Sequence, residues 1–245
     1  MRRAAITLSV AVVYVAGGLW LDRYVDAREQ LPLGLLTAAV LAALLWLHPA
    51  QVRLQTIAVM GFATMGEVVG SIIWGVYHYR LDNLPAFVPP GHGLVYLSGL
   101  SLATLLSRWP RALLLGAAAG AVAWGLAGLT VLPAADASGA LGTAFLVAVL
   151  VLTRRPVYAG VFVAVAALEI YGTAIGTWSW EAVVPVLRIP QGNPPSGAAS
   201  GYVVFDVLAL VLTTSGVATA KRVWPALIRG SSPEPARPRA SAARP

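Results

Sequence analysis

The sequence predicts an all-α, polytopic transmembrane helix bundle of about eight spans, built as a 4+4 parallel internal duplication. Three observations carry this expectation. The mean hydropathy is +0.75 with only 11% charged residues. The apolar residues fall in stretches close to the ~20 that a helix needs to cross a bilayer. A Glu-x-x-Gly-Ser/Thr pattern occurs twice, at Glu67 and at Glu169.

The stretches run over 4–21, 33–47, 56–79, 91–107, 112–132, 137–152, 157–179 and 201–220. The first follows Met1-Arg2-Arg3 as a secretory leader would, but its length and the lack of a small-residue cleavage site before Asp22 predict a retained helix. The second, fourth and sixth are short. The third and seventh carry the paired glutamates and close on aromatic runs. All are continuously apolar and rich in Ala, Leu and Gly, whereas barrel strands alternate over about ten residues.

Charge placement supports an even number of spans. With eight, thirteen of the 17 Lys and Arg share one face, and Arg23, Arg28, Arg80 and Arg188 lie on the other. The positive-inside rule then places a multi-pass protein in the cell membrane with both termini cytoplasmic. Asp22, Asp26, Glu29, Asp82, Asp136 and Glu181 fall on the outer face. The net charge of +7 is therefore a topology signal, and no nucleic-acid partner is expected. Cysteine is absent, which excludes disulfides, thiolate catalysis and Cys-ligated metals.

Placing Glu67 over Glu169 also places Arg53 over Arg155, Val59 over Val161, Gly70 over Gly172, Ser71 over Thr173 and Ile73 over Ile175. Both segments then enter Pro/Gly loops. The division expected is a first repeat over 1–108, a second over 109–222 and a basic, disordered cytoplasmic tail over 223–245. An even number of spans per repeat gives copies of the same orientation, related by an axis along the membrane normal.

On a continuous helix Glu67, Ser71, Trp74 and His78 share one stripe, matched by Glu169, Thr173, Gly176 and Trp180. Both glutamates lie near mid-membrane, with Asp206 in the last span. A lipid-facing carboxylate there costs roughly 2.5 kcal/mol or more, so these side chains are expected to face the bundle or a wet cavity. With no intramembrane Lys or Arg to pair them, at least one glutamate is expected to be a neutral acid. Such an acid serves either as glue between helices or as a functional proton donor.

Glu67, Glu169, Asp206 and His78 are the candidate catalytic residues. Ser71, Trp74, Tyr77, Tyr79, His92, Thr173, Trp178, Trp180 and Asn193 are candidate substrate contacts around an aromatic outer mouth. A ligand set built from His78, His92 and an acid fits no familiar metal spacing, so no metal and no cofactor are expected. GNPPSG (192–197) lacks the Gly-Lys-Ser/Thr end of a phosphate loop.

Glu67, Gly70, Gly75-Val-Tyr77-His-Tyr79 and Val88-Pro89 resemble a motif of the carotenoid-biosynthesis integral membrane family, which includes hydratases acting on the terminal double bond of a polyene. The resemblance covers residues 67–89 and transfers no residue roles. It implies an isoprenoid substrate, and alkene hydration needs an acid in a dry pocket, aromatic faces for a carbocation and a route for water. Three readings remain open. The first is a lipid- or isoprenoid-modifying enzyme with membrane lipid or a hydrophobic small molecule as its partner. The others are a small proton-coupled transporter and a non-catalytic membrane subunit. Oligomeric state is not legible.

Overall fold

The computed structural model describes residues 1–230, with side chains to residue 214. Among the described residues the fold is all-α apart from two short strand pairs. The helices are α1 (Arg2–Asp22), α2 (Gln30–Trp46), α3 (Ala50–Glu67), α4 (Val88–Leu105), α5 (Pro110–Thr130), α6 (Ala137–Thr153), α7 (Pro156–Ala174) and α8 (Ala198–Gly230). A π-helical turn, Val68–Ile73, extends α3. Four helices are long and apolar enough to cross a membrane: α1, α3 with its extension, α5 and α7. Shorter apolar helices cover Gln30–Trp46, Ala137–Thr153 and Ala198–Thr214.

α3, α4, α7 and α8 form a ring in which α4 and α8 each pack against both α3 and α7. α1 and α2 lie against α4; α5 packs on α6 and α7, and α6 on α8. Its central position explains why α4 carries Pro89, Pro90, His92 and Ser98. Its surface meets protein along most of its length, from Val88 to Ser101, so it needs no uniformly apolar face for lipid.

Two predicted spans end early. The stretch 56–79 leaves the helix at Ile73 and the stretch 157–179 at Ala174. Gly75 (φ 70°) and Gly176 (φ 77°) supply the left-handed backbone that stops each helix. The aromatic runs that follow favour extended structure and form β1 (Tyr77–Tyr79) and β2 (Trp178–Trp180). These pair antiparallel, with Tyr77 opposite Trp180 and Tyr79 opposite Trp178. The single stripe through Glu67, Ser71, Trp74 and His78 is thereby broken: His78 sits on a strand. A second hairpin, β3 (Val183–Val184) and β4 (Ile189–Pro190), follows β2.

α8 is helical through Gly230, and residues 231–245 of the expected disordered tail lie outside the described residues.

Candidate functional site

The two helix ends are built alike. Val76 N–H donates to the Gly70 carbonyl at 2.8 Å, and Thr177 N–H to the Gly172 carbonyl at 2.9 Å. Arg80 N–H donates to Thr177 O and Glu181 N–H to Val76 O, at 2.9 and 3.0 Å, on the two flanks of the strand pair. Gly70 and Gly172 leave room for the first aromatic ring of each strand. A Cβ would lie 2.9 Å from the Tyr77 ring at Gly70 and 2.1 Å from the Trp178 ring at Gly172.

One difference separates the ends. Eight residues lead from Glu67 to Gly75 and seven from Glu169 to Gly176. The extra residue is absorbed by the π turn, where Trp74 N–H reaches back five residues to Val69 O at 2.8 Å. The corresponding Ile175 N–H reaches back four, to Tyr171 O at 3.0 Å.

This geometry folds each strand back over its own glutamate. Tyr77 and Tyr79 donate their hydroxyls to Glu67 Oε2 at 2.5 and 2.7 Å. Trp178 and Trp180 donate their indole N–H groups to Glu169 Oε2 at 2.9 and 3.1 Å. Each carboxyl also faces one residue from the helix after its strand. His92 Nε2 lies 3.1 Å from Glu67 Oε1, and the Tyr202 hydroxyl faces Glu169. His92 and Tyr202 occupy the same place, five residues into α4 and α8, and their rings lie 5.3 Å apart. Glu67, His92 and Glu169 are 6%, 5% and 3% exposed.

Both carboxyls border one hollow of about 90 Å³. Its walls include Tyr77, Tyr79, Trp178, Trp180, Tyr202 and Phe87, with Tyr14 and Thr37 reaching in from α1 and α2. Indole N–H groups only donate, so Glu169 Oε2 can only accept there. The hollow therefore presents anchored oxygen acceptors, one imidazole and aromatic faces. That set favours a positive charge at its centre.

Seven of the residues singled out from the sequence meet here: Glu67, Tyr77, Tyr79, His92, Glu169, Trp178 and Trp180. Six do not line the hollow. Ser71 and Thr173 turn their hydroxyls to the Glu67 and Glu169 carbonyls of their own helices, at 2.8 and 2.7 Å. Trp74 is 41% exposed and donates to the Pro185 carbonyl. His78 pairs with Glu181 at the surface, 3.2 Å away, because the strand alternates its side chains and turns this one outward. Asn193 accepts from the Trp180 backbone N–H at 3.1 Å, steadying β2 from outside. Asp206 is buried one helical turn beyond Tyr202, beside Tyr96 and Tyr158, with Oδ2 unpartnered.

Tyr202, Tyr14 and Thr37 are wall residues not singled out from the sequence as contacts. The signal for Tyr202 is its place after Gly201, which parallels His92 after Gly91. Two acids anchor the loops around the hollow. Asp22 accepts from Gln30 Nε2 at 2.7 Å and lies 3.5 Å from Arg80 Nε. Asp136 caps α6 through Gly139 N–H and accepts from Gly192 N–H, Ser196 N–H and the Ser196 hydroxyl at 2.7–2.8 Å. No group of three or more His, Asp or Glu residues suited to a metal occurs among the described residues.

Comparison with family models, with curated proteins and with solved structures matches none of them.

Proposed function

We propose that this chain is an eight-span membrane protein of two parallel four-helix repeats that modifies a lipid or isoprenoid by acid catalysis in the aromatic hollow. The observation that carries the reading is the convergence of Glu67, His92 and Glu169 on one aromatic-walled space. The repeat reading is supported by the reciprocal hydrogen bonds of β1 and β2 and by the like placing of His92 and Tyr202. The charge distribution along the sequence supports an extracytoplasmic hollow and cytoplasmic termini.

The chemistry is addition of water to a carbon–carbon double bond, in keeping with the motif at 67–89. The Glu67 carboxyl, with His92 Nε2 3.1 Å from its Oε1, delivers a proton to an alkene carbon, forming a C–H bond from the π pair. The neighbouring carbon becomes cationic, facing Tyr and Trp rings and the Glu169 carboxylate. A water oxygen bonds to that carbon and returns its proton to the Glu67–His92 pair. Asp206 and His78 take no part, since neither borders the hollow.

A proton-coupled transporter built on two rocking repeats would use the two carboxyls alike. Their partners differ, His92 at Glu67 and Tyr202 at Glu169, which favours a single active site.

The test is mass spectrometry of lipids and pigments from cells expressing the wild type, Glu67→Gln or Glu169→Gln. The expected result is a hydroxylated product that disappears in Glu67→Gln and falls by about a hundredfold to a thousandfold in Glu169→Gln, the scale of a lost electrostatic group. A profile identical with and without the wild-type chain sinks the proposal.

A further inference from the structure

At about 90 Å³, the hollow has room for a handful of waters. It admits the end of a chain and a water, not a whole lipid. The rest of any such substrate must lie elsewhere. A second space of about 330 Å³ runs between α1, α4 and α7, and it shares Val15, Val95 and Leu168 with the hollow.

We propose that this groove holds the apolar chain of the substrate, with the reacting end at Glu67 and Glu169 and the tail lying alongside Leu8 and Leu102. The inference rests on the catalytic reading of the hollow and names its substrate class: a single extended hydrocarbon chain that enters sideways from the bilayer.

Four observations carry it. The groove adjoins the hollow, with Val15, Val95 and Leu168 as the wall between the two spaces. It exists because α1, α4 and α7 present Ala11, Ala16, Ser98, Ala164 and Ala167 along it. Its polar side chains are already satisfied: Ser98 Oγ donates to Leu94 O at 2.8 Å, and the Tyr171 hydroxyl to Ala16 O at 3.0 Å. A headgroup or peptide placed there would lose its water without gaining partners, which costs about 1–3 kcal/mol per group. The fourth concerns width. From Leu8 to Ala16, its first and last wall residues on α1, the helix rises about 12 Å, which leaves a mean cross-section of about 28 Å², against about 80 Å² for a helix 10 Å across. A helix of a second copy or of another protein does not fit.

Val12 and Val163 are 52% and 38% exposed at the groove rim, so the slot opens to the side. Tyr171 bridges α7 to α1 at the strand end and closes the slot there. A chain therefore threads from the bilayer toward the hollow, not from the aqueous face.

Photo-crosslinking of the full-length protein in nanodiscs tests the proposal. One probe is an isoprenoid alcohol with a mid-chain diazirine, and the other a phosphatidylcholine with a mid-acyl diazirine. The expected result is labelling concentrated on Leu8, Val12, Leu102 and Ala164. Preference for one probe assigns the chain as isoprenoid or fatty acyl. Ala164→Phe and Ala167→Phe, with Ala167→Leu as a milder filling, should cut labelling and product by at least about tenfold, the scale of an overpacked site. Glu67→Gln should remove product and keep the labelling. Labels spread evenly over lipid-facing positions such as Trp46 and Leu152, or undiminished in folded filling variants, overturn the groove. Groove labelling with no product from the wild type overturns the catalytic reading and leaves the groove standing.

Discussion

Each buried glutamate is held by the strand that follows it, and the donors differ in kind. Glu67 receives two phenol hydroxyls and Glu169 two indole N–H groups. Removing one donor leaves a buried lone pair without a partner, at a cost of about 1–3 kcal/mol. Tyr79→Phe and Trp178→Phe should each destabilise the protein by that amount in unfolding titrations in detergent. Ser71→Ala, whose hydroxyl only satisfies its own helix turn, should change stability by under about 0.5 kcal/mol. The burial of Glu67 and Glu169 was legible from the cost of leaving a carboxyl against an apolar surround. Their donors were legible only as an interfacial aromatic belt, because period alone does not reveal a chain that reverses at Gly75 and Gly176. A helical stripe brought Ser71, Trp74 and Thr173 into the expected site, and they do not line the hollow; Tyr77, Tyr79, Trp178 and Trp180, expected there as part of an aromatic mouth, reach it through the backbone reversal.

At the scale of elements, the π turn is a one-residue insertion relative to the matching end of α7. Deleting Val69, which is 45% exposed, should convert that turn to α geometry and be tolerated. Deleting Ile170 should not, since α7 has no surplus residue there. Monodispersity on size-exclusion chromatography separates the two outcomes. The insertion is visible in the sequence only as a spacing of 102 between the glutamates that becomes 101 between the glycines, a slip that needs the structure to be noticed. The corner between α2 and α3 carries a second prediction. His48 Nε2 lies 3.1 Å from Thr7 Oγ1. Burial, with Arg3 and Arg53 adding repulsion, holds its pKa below the usual 6.5. The unfolded chain therefore binds a proton that the folded chain refuses, and stability falls as pH drops from about 6.5 toward the folded value. A His48→Gln variant should lose that slope in unfolding measured between pH 7 and 5.

For the whole molecule, a helical class with four helices long and apolar enough to cross a membrane followed directly from hydropathy, and the ring of α3, α4, α7 and α8 did not. α4 and α8 carry Pro, His, Tyr or Asp inside short apolar runs, which reads as weakness in a span but fits helices enclosed by others. The proposed topology has a clean test because the natural chain lacks cysteine. Single Cys substitutions at Asp82 and Glu181 should react with an impermeant maleimide added to intact cells, and those at Ser107 and Thr153 only after permeabilisation. Labelling of both groups from outside would refute eight spans with inward termini.

The strand pair has a consequence for assembly. Among the described residues β1 finds its partner in β2, from the other half of the chain, so neither half alone can close the lid over its own glutamate. A gene cut between 108 and 109 should yield two fragments that are each unstable singly yet co-purify as a working heterodimer.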